Sequence, residues 1–219
     1  MRIGIVGTGN MGRALGLRWA EAGHEICFGA RRREVAEAAA AALSPQYCAA
    51  GSPADAARFG PVVLWTVPDQ SPGAVVGDPA LLADRVVIDV TNGPLSSDGV
   101  SRAQALQAGL PGARIVKAFN TSSFESLQLT RDEARAGGVQ TLLAGHDPAA
   151  LDLVAGLAKD IGLLPILCGG LADAADIEAV ARVLIAQIIH RGQFLLQMPI
   201  MPLKPPADPA RLGERSGQG

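Results

Sequence analysis

Apolar residues arrive along this chain in two rhythms. Ile3-Gly4-Ile5-Val6, Val62-Val63-Leu64-Trp65-Thr66-Val67, Val86-Val87-Ile88-Asp89-Val90 and Arg114-Ile115-Val116-Lys117-Ala118-Phe119 are short, nearly continuous apolar runs, as expected of strands covered on both faces. Between such runs the apolar positions recur every three or four residues. Met11, Ala14, Leu15, Trp19 and Ala22 share one helical face, Arg13, Arg18 and Glu21 lie off it, and Gly23 ends the helix. Glu25-Ile26-Cys27-Phe28-Gly29 reads as a second strand. The alanine-rich residues 34–43 read as a second helix stopped by Ser44-Pro45, and residues 47–49 as a short third strand before a small helix from Ser52. Farther on, Thr141-Leu142-Leu143-Ala144 and residues 163–167 read as strands flanking a helix that carries Leu151, Val154, Ala158 and Ile161.

Strands that alternate with helices in this way predict an α/β chain. The expected architecture is a Rossmann-type, doubly wound, mostly parallel sheet with a C-terminal helical segment. In such a sheet the turns leaving the strand carboxyl ends share one edge, and ligands bind there. The polar or glycine-bearing turns at 66–70, 91–93 and 120–123 are expected to meet on that edge.

From Asp173 to about Gln197 the pattern changes. Ile177, Val180, Ala181, Leu184, Ile185, Ile188 and Ile189 cover a helical face wider than one sheet usually hides. A helix shared between the domain and a second subunit, hence a homodimer, is expected; a helix packed wholly on its own sheet is the alternative. Beyond Met198, Pro199, Pro202, Pro205, Pro206 and Pro209 punctuate a polar tail that reads as an extended arm or as disorder. The expected division is 1–170 for the dinucleotide-binding domain, 171–197 for the helical segment that closes the acceptor site, and 198–219 for the tail.

With 219 residues, 48% hydrophobic and 18% charged, the chain has ample material for a core. A formal net charge of −2 gives no electrostatic case for nucleic acid or an anionic membrane. No apolar run is long enough to span a bilayer, and the chain opens on a strand rather than a leader, so a cytoplasmic location is expected. Cys27, Cys48 and Cys168 are far apart, form no Cys-x-x-Cys, and read as buried, inert thiols; no metal site is expected.

The chemistry concentrates near the start. Gly7-Thr8-Gly9-Asn10-Met11-Gly12 follows the first strand directly and opens a helix. Gly7 makes the tight turn, Gly9 lets backbone approach a pyrophosphate, and Gly12 lets the helix close on the strand. An NAD-selective site carries a carboxylate about twenty residues farther on, at the end of the second strand. Here that position holds Ala30, followed by Arg31, Arg32 and Arg33. A carboxylate repels a 2′-phosphate and guanidinium forks bind one, so the expected cofactor is NADP(H).

The stretches from Ile3 to Gly12, Gly29-Ala30-Arg31-Arg32, Thr66-Val67-Pro68 and Val116-Lys117-Ala118-Phe119-Asn120-Thr121 resemble the NADP oxidoreductases dependent on coenzyme F420. The similarity covers roughly residues 1–196. It implies that Ala30, Arg31 and Arg32 grip the 2′-phosphate and that Thr8, Asn10 and Met11 line the pyrophosphate. It also implies that Thr66, Val67 and Pro68 flank the nicotinamide ribose, and that hydride passes between nicotinamide C4 and the C5 of a deazaflavin. Transfer between stacked rings needs orientation, not a protein nucleophile.

Asn120 and Asn92, at strand ends, are the candidates for orienting the nicotinamide carboxamide or the acceptor ring, although Asn also commonly satisfies loop backbone. Lys117 reads as an edge or helix-contact residue. His24, His146 and His190 read as structural, and of these only His146 stands near enough to a strand end to reach a site. The resemblance departs at residues 168–176, where Asp173 and Asp176 offer no cation to an anionic coenzyme tail. Other small-molecule hydride acceptors (a flavin, quinone, imine or metal chelate), or a non-catalytic NADP-binding sensor, are the alternatives.

Overall fold

Four of the apolar runs become adjacent parallel strands because each is too apolar to face water on either side. The structure is a computed structural model and describes residues 1–43, 48–94, 99–193 and 195–200. Its strands are β1 (Arg2–Val6), β2 (Glu25–Gly29), β3 (Cys48–Gly51), β4 (Val62–Trp65), β5 (Val86–Asp89), β6 (Arg114–Lys117), β7 (Gln140–Gly145) and β8 (Leu164–Gly169). They form one sheet in the order β3-β2-β1-β4-β5-β6-β7-β8. The first six are mutually parallel, with Ile3 opposite both Ile26 and Val62 and Trp65 opposite Asp89. β7 then runs antiparallel to β6, and β8 parallel to β7.

The helices are α1 (Asn10–Glu21), α2 (Arg33–Ala40), α3 (Pro53–Phe59), α4 (Pro72–Val76), α5 (Arg102–Gly109), α6 (Arg131–Ala136), α7 (Pro148–Asp160) and α8 (Ala174–Arg191). Helices α1, α2 and α7 cover one face through a core that includes Ile3, Ile5, Leu15, Trp19, Ala36 and Val154. On the other face α3, α4, α5 and α8 pack on Val63, Trp65, Val87 and Ile115 through Ala56, Val76, Leu106 and Ile177. The predicted doubly wound, mostly parallel Rossmann sheet is therefore the fold.

Local signals set the boundaries. α1 ends in the expected glycine turn, with Gly23 at φ +87° donating to the Ala20 carbonyl and His24 N–H donating to that of Trp19. Ser52 and Asp55 form a capping box at the start of α3, Ser101 and Gln104 at α5, and Thr130 and Glu133 at α6. The Ser44-Pro45 helix stop and the proline-rich tail beyond residue 200 lie outside the described residues. The tail's first residues run back along β7, where the Gln140 amide side chain bonds both the N–H and the carbonyl of Ile200.

Candidate functional site

The glycine turn works by close approach. Gly7 sits at φ +102°, and a Cβ there would stand 2.3 Å from Thr66 Oγ1, so a side chain would both strain the backbone and collide with β4. A Cβ on Gly12 would come 2.5 Å from the Gly7 carbonyl oxygen, which is what lets α1 close onto the turn. Thr66 secures the same corner: its N–H donates to the Val6 carbonyl at 3.0 Å and its hydroxyl donates to it at 3.1 Å. Gly9 is the residue before α1 and faces open space, with nothing within 4 Å of where a Cβ would be. No side chain caps α1, and its first turn carries no acid. The helix therefore presents open N–H groups and its positive end to the sheet edge, an arrangement suited to a pyrophosphate.

Beside the turn lies a cleft of about 520 Å³, which brings together Gly7, Thr8, Ala30, Arg31, Arg32 and Val67 from separate strand ends. Val35, Pro53, Gln70 and Val75 complete its wall. Gln70 belongs to the 66–70 turn expected at this edge, whereas Val35, Pro53 and Val75 do not stand out in the sequence, because α2, α3 and α4 deliver them only once packed. Arg31 and Arg32 are exposed at the cleft mouth, whereas Arg33 turns away to Glu37 at 2.8 Å. Arg32 lies 3.8 Å from Glu34. A pair of guanidiniums at one end, open helix N–H groups at the other and apolar walls between fit a dinucleotide that carries an extra phosphate.

At the neighbouring strand ends, β5 and β6 bring Asn92 and Asn120 together. Asn120 Nδ2 donates to Asn92 Oδ1 at 2.9 Å, and Asn92 Nδ2 donates to the Asn120 carbonyl at 2.9 Å. Asn120 is only 4% exposed, yet its Oδ1 has no partner among the described residues. A buried acceptor left open in this way is costly unless a ligand or an ordered water donates to it. The turn that aims it is strained: Phe119 holds φ +61°, rare for a bulky side chain. Its N–H is held by Thr141 Oγ1 at 2.9 Å, and its ring meets Trp19 edge-on at 5.6 Å.

Beneath the asparagines lies a charged cluster that was not visible as a unit in the sequence. Lys117, Asp89 and Glu178 are each fully buried. Lys117 Nζ lies 2.9 Å from Asp89 Oδ2 and 2.8 Å from Glu178 Oε1, and also donates to the Thr91 carbonyl. Asp89 Oδ1 accepts from the Thr91 N–H and hydroxyl, and Glu178 from the Arg102 and Ala103 N–H groups that open α5. Lys117 is thus a helix-contact residue but not an edge residue, since β6 has neighbours on both sides. The available signal was Glu178 itself, an acid four residues after Ala174 and three before Ala181 on the apolar stripe of α8. An acid there requires a buried partner.

Other candidates fall elsewhere. Asn10 lines a separate groove of about 340 Å³ between α1, α2 and Phe124, and Pro68 is exposed on the turn after β4. Met11 is half-buried at the start of α1. His146 follows β7, and because β7 is antiparallel to β6 it stands at the edge away from the cleft, beside Gly170. The reversal also carries Asp173 away from the edge that bears the cleft. That carboxylate accepts from the Gly170 N–H at 2.7 Å just past the end of β8, away from the strand ends that carry the asparagines. Beside the asparagines stand two arginines instead. Arg102 packs against Gly93 and pairs with Asp69 at 2.5 Å, and Arg182 donates to the Gly93 carbonyl at 3.3 Å.

His24 is structural, with its ring bonded to Asp160 at 3.1 Å and burial pushing its pKa down. His190 lies on α8 near its end. All three thiols are free; Cys27 is buried while Cys48 and Cys168 are half-buried. Burial pushes the Cys27 and Cys48 thiols up to about 11 and raises that of Cys168, so they are held protonated and unreactive. Among the described residues no group of acids, histidines and cysteines is placed to hold a metal, and no helix is long and apolar enough to cross a membrane.

The fold and cleft define a Rossmann-type protein with a site suited to a dinucleotide. Residues 2–93 match the family described as NADP oxidoreductase, coenzyme F420-dependent. The chain is 32% identical over 208 residues to the F420-dependent NADP reductase of Methanothermobacter marburgensis, an alignment covering 84% of this chain and 91% of that one. A crystal structure of a candidate F420-dependent NADP reductase from Arthrobacter sp. FB24 superposes with a TM-score of 0.78 at 25% identity, over 91% of this chain and 99% of that one. The metalloreductase STEAP3 of Rattus norvegicus is 27% identical over 183 residues, 82% of this chain, which spans only 36% of that longer protein. The chain belongs to the coenzyme F420-dependent NADP oxidoreductase family and is an NADP-dependent oxidoreductase.

Proposed function

We propose that the protein transfers hydride between NADP(H) and a deazaflavin, coenzyme F420, or a closely similar ring acceptor. Residues 1–170 hold the nucleotide and residues 171–197 close the acceptor side; residues 198–219 are the proline-rich tail. Gly7, Thr8 and Gly9, with the backbone N–H groups of Asn10, Met11 and Gly12 at the start of α1, receive the pyrophosphate, although Asn10 also lines the separate groove. Ala30, Arg31 and Arg32 take the 2′-phosphate, and Thr66, Val67 and Pro68 support the nucleotide from the end of β4. When bound, NADPH supplies a hydride from nicotinamide C4 to the deazaflavin C5, with the accompanying proton drawn from solvent.

The observation that carries this reading is the open, buried Oδ1 of Asn120 beside Asn92. Both side chains are amides, which orient rings rather than exchange protons, and orientation is what ring-to-ring transfer requires. Arg182 near Gly93 offers positive charge on the acceptor side, suited to an anionic acceptor, while the charge of Arg102 is already met by Asp69.

Purified protein with NADPH should bleach the deazaflavin absorbance of coenzyme F420, and Asn120→Ala should cut kcat by about tenfold or more through loss of ring alignment. Absence of F420 turnover alongside reduction of a ferric chelate would move the assignment to a metal-chelate acceptor, the reading that the likeness to the metalloreductase favours. Tight NADPH binding with no acceptor reduced at all would make the protein a sensor. We further propose a homodimer through α8, on which Val183, Ile185 and Ile189 are 49%, 41% and 74% exposed, and a cytoplasmic setting that suits its free thiols. A monomer by sedimentation at micromolar concentration would refute the dimer.

A further inference from the structure

The buried charges offer more than stability. Lys117, Asp89 and Glu178 come from three different elements, β6, β5 and α8, and each of their polar atoms is satisfied. Lys117 Nζ donates to the carbonyl of Thr91, the residue before Asn92, and lies three residues before Asn120 on its own strand. The same Glu178 that meets Lys117 receives the N–H groups of Arg102 and Ala103, so α5 starts from the same anchor. One turn along α8, Arg182 reaches the carbonyl of Gly93, the residue after Asn92. The loop bearing Asn92 is thus held from below by Lys117 and Asp89 and from the side by α8.

We propose that Lys117, Asp89 and Glu178 are positioning residues: they couple the docking of α8 to the alignment of the Asn92–Asn120 amide pair. Burial of apolar area alone would hold α8 loosely in register, because its stripe continues onto the exposed Ile185 and Ile189. A fully satisfied ionic network is rigid and fixes one arrangement. A carboxylate on the closing helix then sets where the Asn120 acceptor points, although it touches neither ring. This inference rests on the proposed hydride transfer for its kinetic consequence, but its structural consequence stands apart from any acceptor.

The full-length protein with NADPH bound tests both consequences. In Glu178→Gln, amide hydrogen exchange should quicken together in residues 91–93 and along α8, while residues 8–13 stay as protected as in the wild type. NADPH affinity should stay within about twofold, and kcat should fall about tenfold or more, the size expected of a small misplacement. Glu178→Asp keeps the charge balance but shortens the reach by one methylene. Losing a buried contact should lower its melting temperature somewhat, yet at a temperature where the variant is fully folded it should show the same fall in kcat. Faster exchange confined to α8, or an unchanged kcat in Glu178→Asp, would reduce the cluster to a structural ion pair and overturn the proposal. If the wild type reduces no ring acceptor, the exchange limb still decides the coupling, so failure of the proposed function and failure of this inference are told apart.

Discussion

Removing the two cleft arginines should convert a phosphate-selective site into an indifferent one. The perturbation is Arg31→Ala, Arg32→Ala and the pair together. A charge-assisted hydrogen bond contributes about 1.5–3 kcal/mol, and these side chains stand in solvent, so the low end applies. Removing one guanidinium from the phosphate therefore costs about tenfold in NADPH affinity, and removing both about a hundredfold. The two should not be equal. Arg32 is 76% exposed and already lies 3.8 Å from Glu34, which competes for it, whereas no carboxylate lies within ion-pair reach of Arg31 among the described residues. Arg31→Ala should be the more damaging. NADH, which lacks the 2′-phosphate, should bind every variant within about twofold of the wild type, and the NADPH advantage should shrink as salt screens the clamp. Fluorescence titration of NADPH and NADH at two ionic strengths measures all of this. Equal weakening for the two nucleotides, or none for either, would show that the arginines form only a solvated helix start.

Phe119→Ala should cost about 3–5 kcal/mol for an emptied aromatic site, yet Phe119→Gly should be the milder change by about 1 kcal/mol, because φ +61° suits glycine and strains alanine. Urea unfolding ranks the two, and an alanine variant more stable than the glycine one would refute the strain at this turn. The pH dependence follows from His24, whose pKa burial pushes below its ordinary 6.5, with the nearby chain amino group adding to the effect and Asp160 opposing it. The unfolded chain then binds a proton that the folded one resists, so this contribution to stability is present above pH 6.5 and lost as pH falls toward the lower folded value. Thermal melts from pH 7.5 to 5.5 should show that loss, and His24→Gln should flatten it.

Much of the molecule was legible in the chain itself. Continuous apolar runs separated by helical periodicities required a sheet covered on both faces. The order of glycines, with Ala30 and two arginines where an acid would select NAD, points to the proposed phosphate end, because those effects are local: a backbone angle, a helix end, a charge. What only tertiary structure decided were the relations between distant residues. The reversal at β7 sent His146 to the far edge and carried Asp173 past the end of β8, away from the asparagines, since strand direction depends on how the last βαβ unit joins the sheet and not on the composition of any run. In the sequence Lys117 reads as an edge or helix-contact residue, and neither Asp89 nor Glu178 stands out as its partner. They make sense only together, because burying a charge is tolerable when its partners arrive from elsewhere in the chain. Periodicity along the chain reveals which face is buried, but not what meets it there.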